Sequence, residues 1–322
     1  MSRPQGSGRV KEAKLEFFAR SRVIKHPLGV ALRTPCLIPS FSSKVYLGPE
    51  KKRPRTPKAP KQPKPKHEIA TILAVASEFI TDALLISAYD LHYGYIPSVM
   101  DFQQRPELIV IDSGGYEAAT DHDFATTLHF PYKGRPWSEA RCQRVYSEWS
   151  QEQAAIFVSY DHPKQQANLR EQLAAARRLQ RWSKKQMFEF LVKPESRSDS
   201  YLDAVLGKVF NAPELLSGFD VIGVTEKELG RSFVERAGNL IMLRRALEQA
   251  TITAPIHVFG ALDPLACALY FLAGAELFDG LNWMRYAFLD DAAVYSRQAT
   301  LMRGTPDDDD SAAQRIRPTV TI

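Results

Sequence analysis

Three aspartates follow short apolar runs of the sequence, at Asp112, Asp161 and Asp279. If each run is a strand of a parallel barrel, the residues at its carboxyl end lie on the face that carries the active site. Two carboxylates facing one substrate can divide the labour, because one attacks an electron-poor sugar carbon while the other transfers a proton. The three residues therefore indicate chemistry at a glycosidic bond. Any single aspartate could instead be a structural residue that caps the loop after its strand. That alternative explains less well why three aspartates lie at the same end of the barrel.

Aromatic and glycine residues accompany the aspartates. Tyr116 follows a Gly-Gly pair, and Phe259 ends another apolar run. Flat side chains at the mouth of a site could stack on a planar base, although core packing is the alternative for each ring. Glycine lets the backbone approach the edge of a ligand closely. Four glycines are candidates for this role: Gly114, Gly115, Gly223 and Gly260.

Eight short apolar runs are the predicted strands that position these residues. They are Pro35–Pro39, Leu84–Ser87, Leu108–Ile111, Ala155–Ser159, Phe188–Val192, Val221–Ile222, Ile256–Phe259 and Leu277–Phe278. Apolar residues three and four positions apart predict helices between them, among them Gln165–Lys184, Glu228–Gln249 and Asp263–Ala273. Asp263 and Pro264 are typical of the first residues of a helix. Eight strand–helix units in one domain predict a (β/α)₈ TIM barrel of the α/β class rather than an open sheet.

The same pattern predicts the domain organisation. Residues 1–30 are expected to form a cap segment with a turn at Pro27–Gly29, and residues 31–303 to form the barrel. A disordered, basic and proline-rich insertion is expected at 50–67. Residues 304–322 are expected to be a disordered tail, because they are polar and contain the acidic run Asp307–Asp310.

The basic residues concentrate in one segment between the first and second predicted strands. Its eight positive side chains are Lys51, Lys52, Arg53, Arg55, Lys58, Lys61, Lys64 and Lys66. Without those eight charges, the formal net charge of +5 becomes −3. The segment also contains five prolines between 54 and 65, which favour an extended chain. The functional interpretation is an arm that neutralises nucleic-acid phosphates at the catalytic face; the alternative is a solvated linker.

The composition argues against several other classes of protein. The three cysteines, Cys36, Cys142 and Cys267, lie far apart, so we expect neither a disulfide framework nor a structural zinc site, and no cofactor. The first residues have no apolar run typical of a secretory signal. The longest charge-free stretch, 249–262, is too short to span a bilayer. A cytoplasmic protein without membrane contacts is therefore the expectation.

The sequence resembles the tRNA-guanine transglycosylase family in several ordered segments. The most specific is the run from Val110 to Tyr116, which is similar to the aspartate-serine-glycine-glycine-aromatic motif of that family. The runs 217–224, 256–260 and 277–279 resemble its sixth strand and the segment that ends in its nucleophile, and 34–39 and 86–92 resemble its first two strands. The likeness extends from about Ala19 to Asp279.

The resemblance implies roles for individual residues. Asp279 would be the nucleophile and Asp112 the general acid and base. The residues implied to bind the base are Ser113, Gly114, Tyr116, Asp161, Gly223, Val224, Phe259 and Gly260. Among these, Asp161 would recognise the Watson–Crick edge, and the two aromatic rings would stack on the faces of the base. The implied reaction exchanges guanine in DNA or tRNA for a free 7-deazaguanine base through a covalent glycosyl-enzyme.

The sequence also departs from the family. The cysteine cluster of the family's zinc site is missing, and Lys193 stands where a glutamine is usual. Ile222 replaces one of two glycines, and Gly280–Trp283 replaces the proline-threonine-arginine run after the nucleophile. These departures concern docking of the polymer more than base chemistry. They favour the DNA-acting branch over the tRNA-acting one, and partner subunits could assist docking.

Two other interpretations remain open. A metal-dependent barrel hydrolase could use His92, Asp161, His162, His257 and Asp279, although no tight ligand motif is present. A catalytically inactive, nucleic-acid-binding paralogue could instead partner an active subunit. The presence of both Asp112 and Asp279 argues against the inactive paralogue.

Overall fold

The computed structural model contains a parallel β-barrel with helices outside it. It describes residues 18–44, 68–102, 104–119, 134–161, 167–183, 185–196, 200–261, 263–284, 286–289 and 292–295. The predicted basic arm at 51–66 and the predicted tail at 304–322 lie outside the described residues.

Eight parallel strands in the described chain form the barrel and confirm the predicted fold class. They are β3 (Cys36–Pro39), β4 (Ala83–Ser87), β5 (Leu108–Asp112), β6 (Ala154–Val158), β7 (Met187–Val192), β8 (Val221–Thr225), β9 (Ile256–Phe259) and β10 (Leu277–Gly280). From β4 to β10 each strand pairs with the next one in the sequence, and β10 pairs with β3. Between β3 and β4 the contact is a single parallel bridge, Ser40 to Leu85, with a 2.9 Å hydrogen bond from the Phe41 N–H to the Leu85 carbonyl. The barrel is therefore nearly closed.

Helices alternate with these strands. Those in the described chain are α1 (Glu68–Ala76), α2 (Ala88–Tyr93), α3 (Gly115–Ala118), α4 (Glu139–Glu148), α5 (Leu169–Gln180), α6 (Asp203–Asn211), α7 (Phe233–Gln249) and α8 (Pro264–Leu272). As predicted, Asp263 caps α8, accepting a 2.9 Å hydrogen bond from the Ala266 N–H. The predicted helix over Glu228–Gln249 begins later, because Ser232 and Glu235 form a capping box at its start. No helix in the described ranges is long and apolar enough to cross a membrane.

Side chains of each strand alternate between an outer core under the helices and an inner core within the barrel, as the two-residue period of a strand requires. On β5, Ile109 and Ile111 pack beneath the helices, whereas Leu108 and Val110 fill the barrel. By the same alternation, the polar residues Ser40, Asp112 and Asp279 face the interior at its carboxyl end. The strands thus place the candidate residues at one mouth.

A hairpin packs against the opposite end of the barrel. Its strands are β1 (Val23–Lys25) and β2 (Ala31–Arg33), and Ile24 and Leu32 join the inner core. The buried Glu276, just before β10, pairs with Arg22 at 2.5 Å and with Arg244 at 3.0 Å. This ion-pair cluster anchors the hairpin at the amino end. A second hairpin, β11 (Tyr286–Leu289) and β12 (Ala292–Tyr295), follows the barrel.

Candidate active site

Asp279 is held in one orientation at the end of β10. The Ser40 hydroxyl donates a 2.6 Å hydrogen bond to Oδ2, and the Gly260 N–H donates a 3.0 Å bond to Oδ1. The side chain is only 8% exposed. Both oxygens are therefore fixed, while the end of the strand leaves the carboxylate at the mouth.

Ser40 is itself positioned by the residues after Asp279. The Ser40 N–H donates to the Gly280 carbonyl at 3.0 Å, and Nε1 of Trp283 donates to the Ser40 carbonyl at 2.9 Å. The Trp283 ring also packs on Phe41, with ring centroids 5.1 Å apart. The segment 280–283 therefore holds the end of β3 beside Asp279.

His257 and Glu189 lie inside the barrel next to Asp279. The Nδ1 atom of His257 is 3.0 Å from Oε1 of Glu189, and its Nε2 atom is 3.5 Å from Oδ1 of Asp279. Both residues are fully buried. Although burial disfavours the charged imidazolium, the two carboxylates raise the pKa of His257 to about 10. The ring is therefore a cation at neutral pH.

Asp112 stands at the end of β5 in a different environment. Its Oδ2 accepts a 3.1 Å hydrogen bond from the Gly114 N–H. Burial raises the pKa of Asp112 well above its usual range, and the negative charges of Asp161, Glu117 and Asp279 raise it further. A carboxyl whose pKa is raised in this way is suited to donate a proton as a general acid.

Asp161 belongs to a polar chain that crosses the mouth. Its Oδ1 accepts a 2.5 Å hydrogen bond from the Ser113 hydroxyl, and its Oδ2 lies 3.7 Å from Nζ of Lys193. Lys193 also pairs with Glu228 at 2.7 Å. Burial lowers the pKa of Lys193, but the carboxylates of Glu228 and Asp161 outweigh it and raise the pKa above its usual value. The lysine therefore adds a positive charge beside Asp161.

The glycine pair after Asp112 is required by this geometry. Gly114 has φ +88°, and a Cβ there would lie 2.5 Å from Cβ of Tyr89. A Cβ on Gly115 would lie 2.5 Å from Oδ1 of Asp161. The two glycines therefore allow the turn after β5 to pass between Tyr89 and the Asp161 carboxylate.

Two further carboxyls lie buried behind this turn, at Asp90 and Glu117. The Ser43 N–H donates a 2.8 Å hydrogen bond to Asp90, and the Ser42 hydroxyl donates to Glu117. Burial is the largest cause that raises the pKa of Asp90 to about 7 and that of Glu117 to about 8. The mouth therefore contains more acidic groups than the three aspartates.

The implied base-stacking residues occupy different surroundings. Tyr116 is half-buried, and Nζ of Lys44 lies 4.2 Å from the centre of its ring. Phe259 is 9% exposed and belongs to the inner core, with its ring 4.0 Å from that of His257. A Cβ on Gly223 would lie 2.8 Å from the Phe259 ring, so this glycine makes space for it.

The other implied contacts are placed as follows. Val224 lies within β8, and its side chain packs in the outer core beneath the helices. The backbone N–H of Gly260 binds Asp279. The charged residues Lys51, Lys52, Arg53, Arg55, Lys58, Lys61, Lys64 and Lys66 lie outside the described residues, as does His162.

Glu189 has no role predicted from the sequence, and His257 is predicted only as a metal ligand in the hydrolase alternative. A signal was present, because each is a single ionisable residue within an otherwise apolar strand, MFEFLV or IHVF. Such a residue is buried only when it is paired. The pairing itself could not be predicted, because the two strands are separated by β8.

Comparisons with known proteins add nothing to this geometry. No protein-family model matches the chain, and no curated protein matches its sequence.

Within the described ranges, no group of three or more histidine, cysteine, aspartate or glutamate side chains is arranged to hold a metal ion.

Proposed function

We propose that the protein is a base-exchange transglycosylase that replaces guanine in a nucleic acid with a 7-deazaguanine base. One observation carries the proposal. Asp279 is fixed by Ser40 and Gly260 at the same mouth where burial and neighbouring charge raise the pKa of Asp112. A nucleophile and a proton donor are the two groups that a double displacement at a sugar carbon requires.

The proposed reaction has two balanced steps. In the first, an oxygen of Asp279 attacks the anomeric carbon, the bond from that carbon to guanine breaks, and Asp112 gives its proton to the leaving base. In the second, Asp112 takes a proton from the incoming 7-deazaguanine, whose nitrogen then attacks the same carbon. The bond to Asp279 breaks, and both carboxyls return to their starting states.

Recognition of the base rests on the polar chain across the mouth. The Asp161 carboxylate can accept hydrogen bonds from the N–H groups on the Watson–Crick edge of guanine. Lys193 lies beside it and can donate to the neighbouring oxo group, as an amide would. Ring stacking by Tyr116 and Phe259 and phosphate binding by the basic arm complete the proposal. DNA is the favoured polymer, because the cysteine cluster that forms the zinc site in the tRNA-guanine transglycosylase family is missing from the sequence.

Base exchange can be tested directly with purified protein and radiolabelled guanine. We expect duplex DNA to take up label more than bulk tRNA, and unlabelled 7-deazaguanine to release it. Asp279→Asn should reduce uptake more than about 10⁴-fold, because the nucleophile is lost. Asp263→Asn is the matched control, since asparagine also caps α8. Uptake by neither polymer, or a wild-type rate in Asp279→Asn, would contradict the proposal.

A further inference from the structure

A row of three ionisable side chains crosses the interior of the barrel from β7 to β10. Glu189 contacts Nδ1 of His257 at 3.0 and 3.2 Å through its two oxygens, and Nε2 of His257 points to Asp279 at 3.5 Å. Glu189 and His257 are fully buried inside the barrel. The proposed chemistry leaves both residues without a role.

Stability alone does not explain this pair. The inner core around it consists of apolar side chains such as Leu191 and Val221. Burying a carboxylate and an imidazolium is costly, and apolar residues of similar volume often serve stability equally well. Gly223 also leaves space for Glu189, since a Cβ there would lie 2.6 Å from its Oε1. The barrel is therefore built to accommodate charge next to Asp279.

We propose that Glu189 and His257 form a positioning dyad, which fixes the orientation of Asp279 and balances its charge during base exchange. The inference rests on the proposed function. Glu189 holds the ring in place, and the charged Nε2 of His257 lies 3.5 Å from Oδ1, the oxygen that the Gly260 N–H also contacts. Neither member of the dyad contacts the substrate, so both act through Asp279.

The dyad has its largest effect on the second displacement. Asp279 loses its negative charge when it bonds to the sugar and regains that charge when the new base displaces it. A fixed cation stabilises the returning carboxylate, because the interaction is strong in a buried site. Without the cation, the covalent glycosyl-enzyme should decay more slowly relative to its formation.

The pH profile distinguishes this role from a purely structural one. In the described chain, the ionisable groups facing the His257 ring are Glu189 from β7 and Asp279 from β10, while β8 contributes Gly223, which has no side chain. Burial favours the neutral ring, and the carboxylates raise its pKa to about 10. Removing the Glu189 charge should lower that pKa, so the ring would lose its proton as the pH rises through the working range.

The test is Glu189→Gln, with His257→Gln as a second variant. We expect kcat to fall by about 100-fold, because misplaced reacting groups cost rates of that order. The KM for the polymer should fall with it, because the second displacement becomes rate-limiting and the covalent intermediate accumulates. Glu189→Gln should also lose rate at a lower alkaline pH than the wild type does, and the covalent protein–polymer species should accumulate on denaturing gels. Glu276→Gln and His26→Gln alter buried residues at the amino end and should leave the profile unchanged.

The outcomes separate the dyad from the proposed function. If the wild type exchanges base and the rate of Glu189→Gln depends on pH in the same way as that of the wild type, the dyad alone is overturned. Absence of exchange from the wild type with both polymers would overturn the proposed function and the dyad with it. NMR titration of the His257 ring needs neither dyad variant, and a ring pKa that is the same in wild type and Asp279→Asn would also overturn the inference.

Discussion

The Ser40 hydroxyl donates a 2.6 Å hydrogen bond to Oδ2 of Asp279 and thereby links the first strand of the barrel to the last. The bond depends on the position of β3, which Trp283 fixes through the Ser40 carbonyl. A serine that plays no part in proton transfer therefore determines where the proposed nucleophile points.

Ser40→Ala should slow base exchange by about 10- to 100-fold, because a hydrogen bond to a charged group contributes about 1.5–3 kcal/mol. The rate of labelled-guanine uptake measures this effect. Ser77→Ala is the matched control, since Ser77 is also buried but its hydroxyl donates to the Ala74 carbonyl near the end of α1, away from the candidate site. Equal rates in the two variants would show that the hydrogen bond does not orient Asp279.

Phe259→Ala should weaken binding of the free base by about tenfold or more, since stacking contributes about 1–3 kcal/mol per base. Because Phe259 belongs to the inner core, the free energy of unfolding of the Phe259→Ala protein should also fall, by about 3–5 kcal/mol. Tyr116→Ala should weaken base binding with a smaller loss of stability, because Tyr116 is half-buried. Calorimetric titration with base and urea unfolding separate the two effects. An unchanged dissociation constant in Phe259→Ala would assign that ring to the core alone.

Gly115→Ala should reduce base affinity by about tenfold, because the added methyl group would meet the Asp161 carboxylate at 2.5 Å and displace it. The control is Gly238→Ala within α7, where a Cβ meets nothing within 4 Å. That variant should gain about 0.5–1 kcal/mol of stability and exchange base normally. Full affinity in Gly115→Ala would mean that Asp161 does not contact the base.

Glu117→Gln should flatten the dependence of stability on pH. Burial raises the pKa of Glu117 to about 8, so between about pH 4 and pH 8 the folded protein binds a proton that the unfolded chain releases. Stability from this group is therefore present at low pH and declines as the pH rises, by at most about 1.4 kcal/mol per unit. Urea unfolding at pH 5 and pH 8 measures the slope. Glu78 is exposed, so Glu78→Gln should retain the wild-type slope. A slope in Glu117→Gln identical to that of the wild type would show that the pKa of Glu117 is not raised in the folded protein.

Deletion of residues 51–66 tests the predicted basic arm. Neutralised phosphates release counterions, so polymer affinity should fall with salt at a log–log slope of about −0.9 per contacted phosphate on duplex DNA. The deletion should weaken polymer binding and flatten that slope, while affinity for the free base stays the same. A solvated linker predicts no change in either quantity.

Local patterns were sufficient to predict the eight strands and the carboxyl-end positions of Asp112 and Asp279. Apolar runs such as LIVID are buried on both faces, and a parallel barrel explains eight of them separated by helical stretches. The cap of α8 was equally clear, because an aspartate before a proline satisfies the first N–H groups of a helix within four residues. Each of these features depends on residues close together in the sequence.

Helix starts were less accurately predicted. The apolar periodicity suggested that α5 and α7 begin earlier than they do, at Gln165 and Glu228. Their true starts are set by capping boxes at Asn168 and Ser232, in which a glutamate three residues later returns a hydrogen bond to the backbone. Periodicity identifies the face of a helix, whereas side-chain hydrogen bonds determine its ends.

The sequence by itself determined which residues carry charge and which strands are apolar, but the tertiary structure alone decided which charges meet. Glu189 and His257 are 68 positions apart, and Ser40 and Asp279 are 239 positions apart. Their contacts depend on strand register and on the closure of the barrel between β3 and β4, which are properties of long-range packing. The raised pKa values of Asp112 and His257 follow from those contacts, because burial and neighbouring charge act through space rather than along the chain.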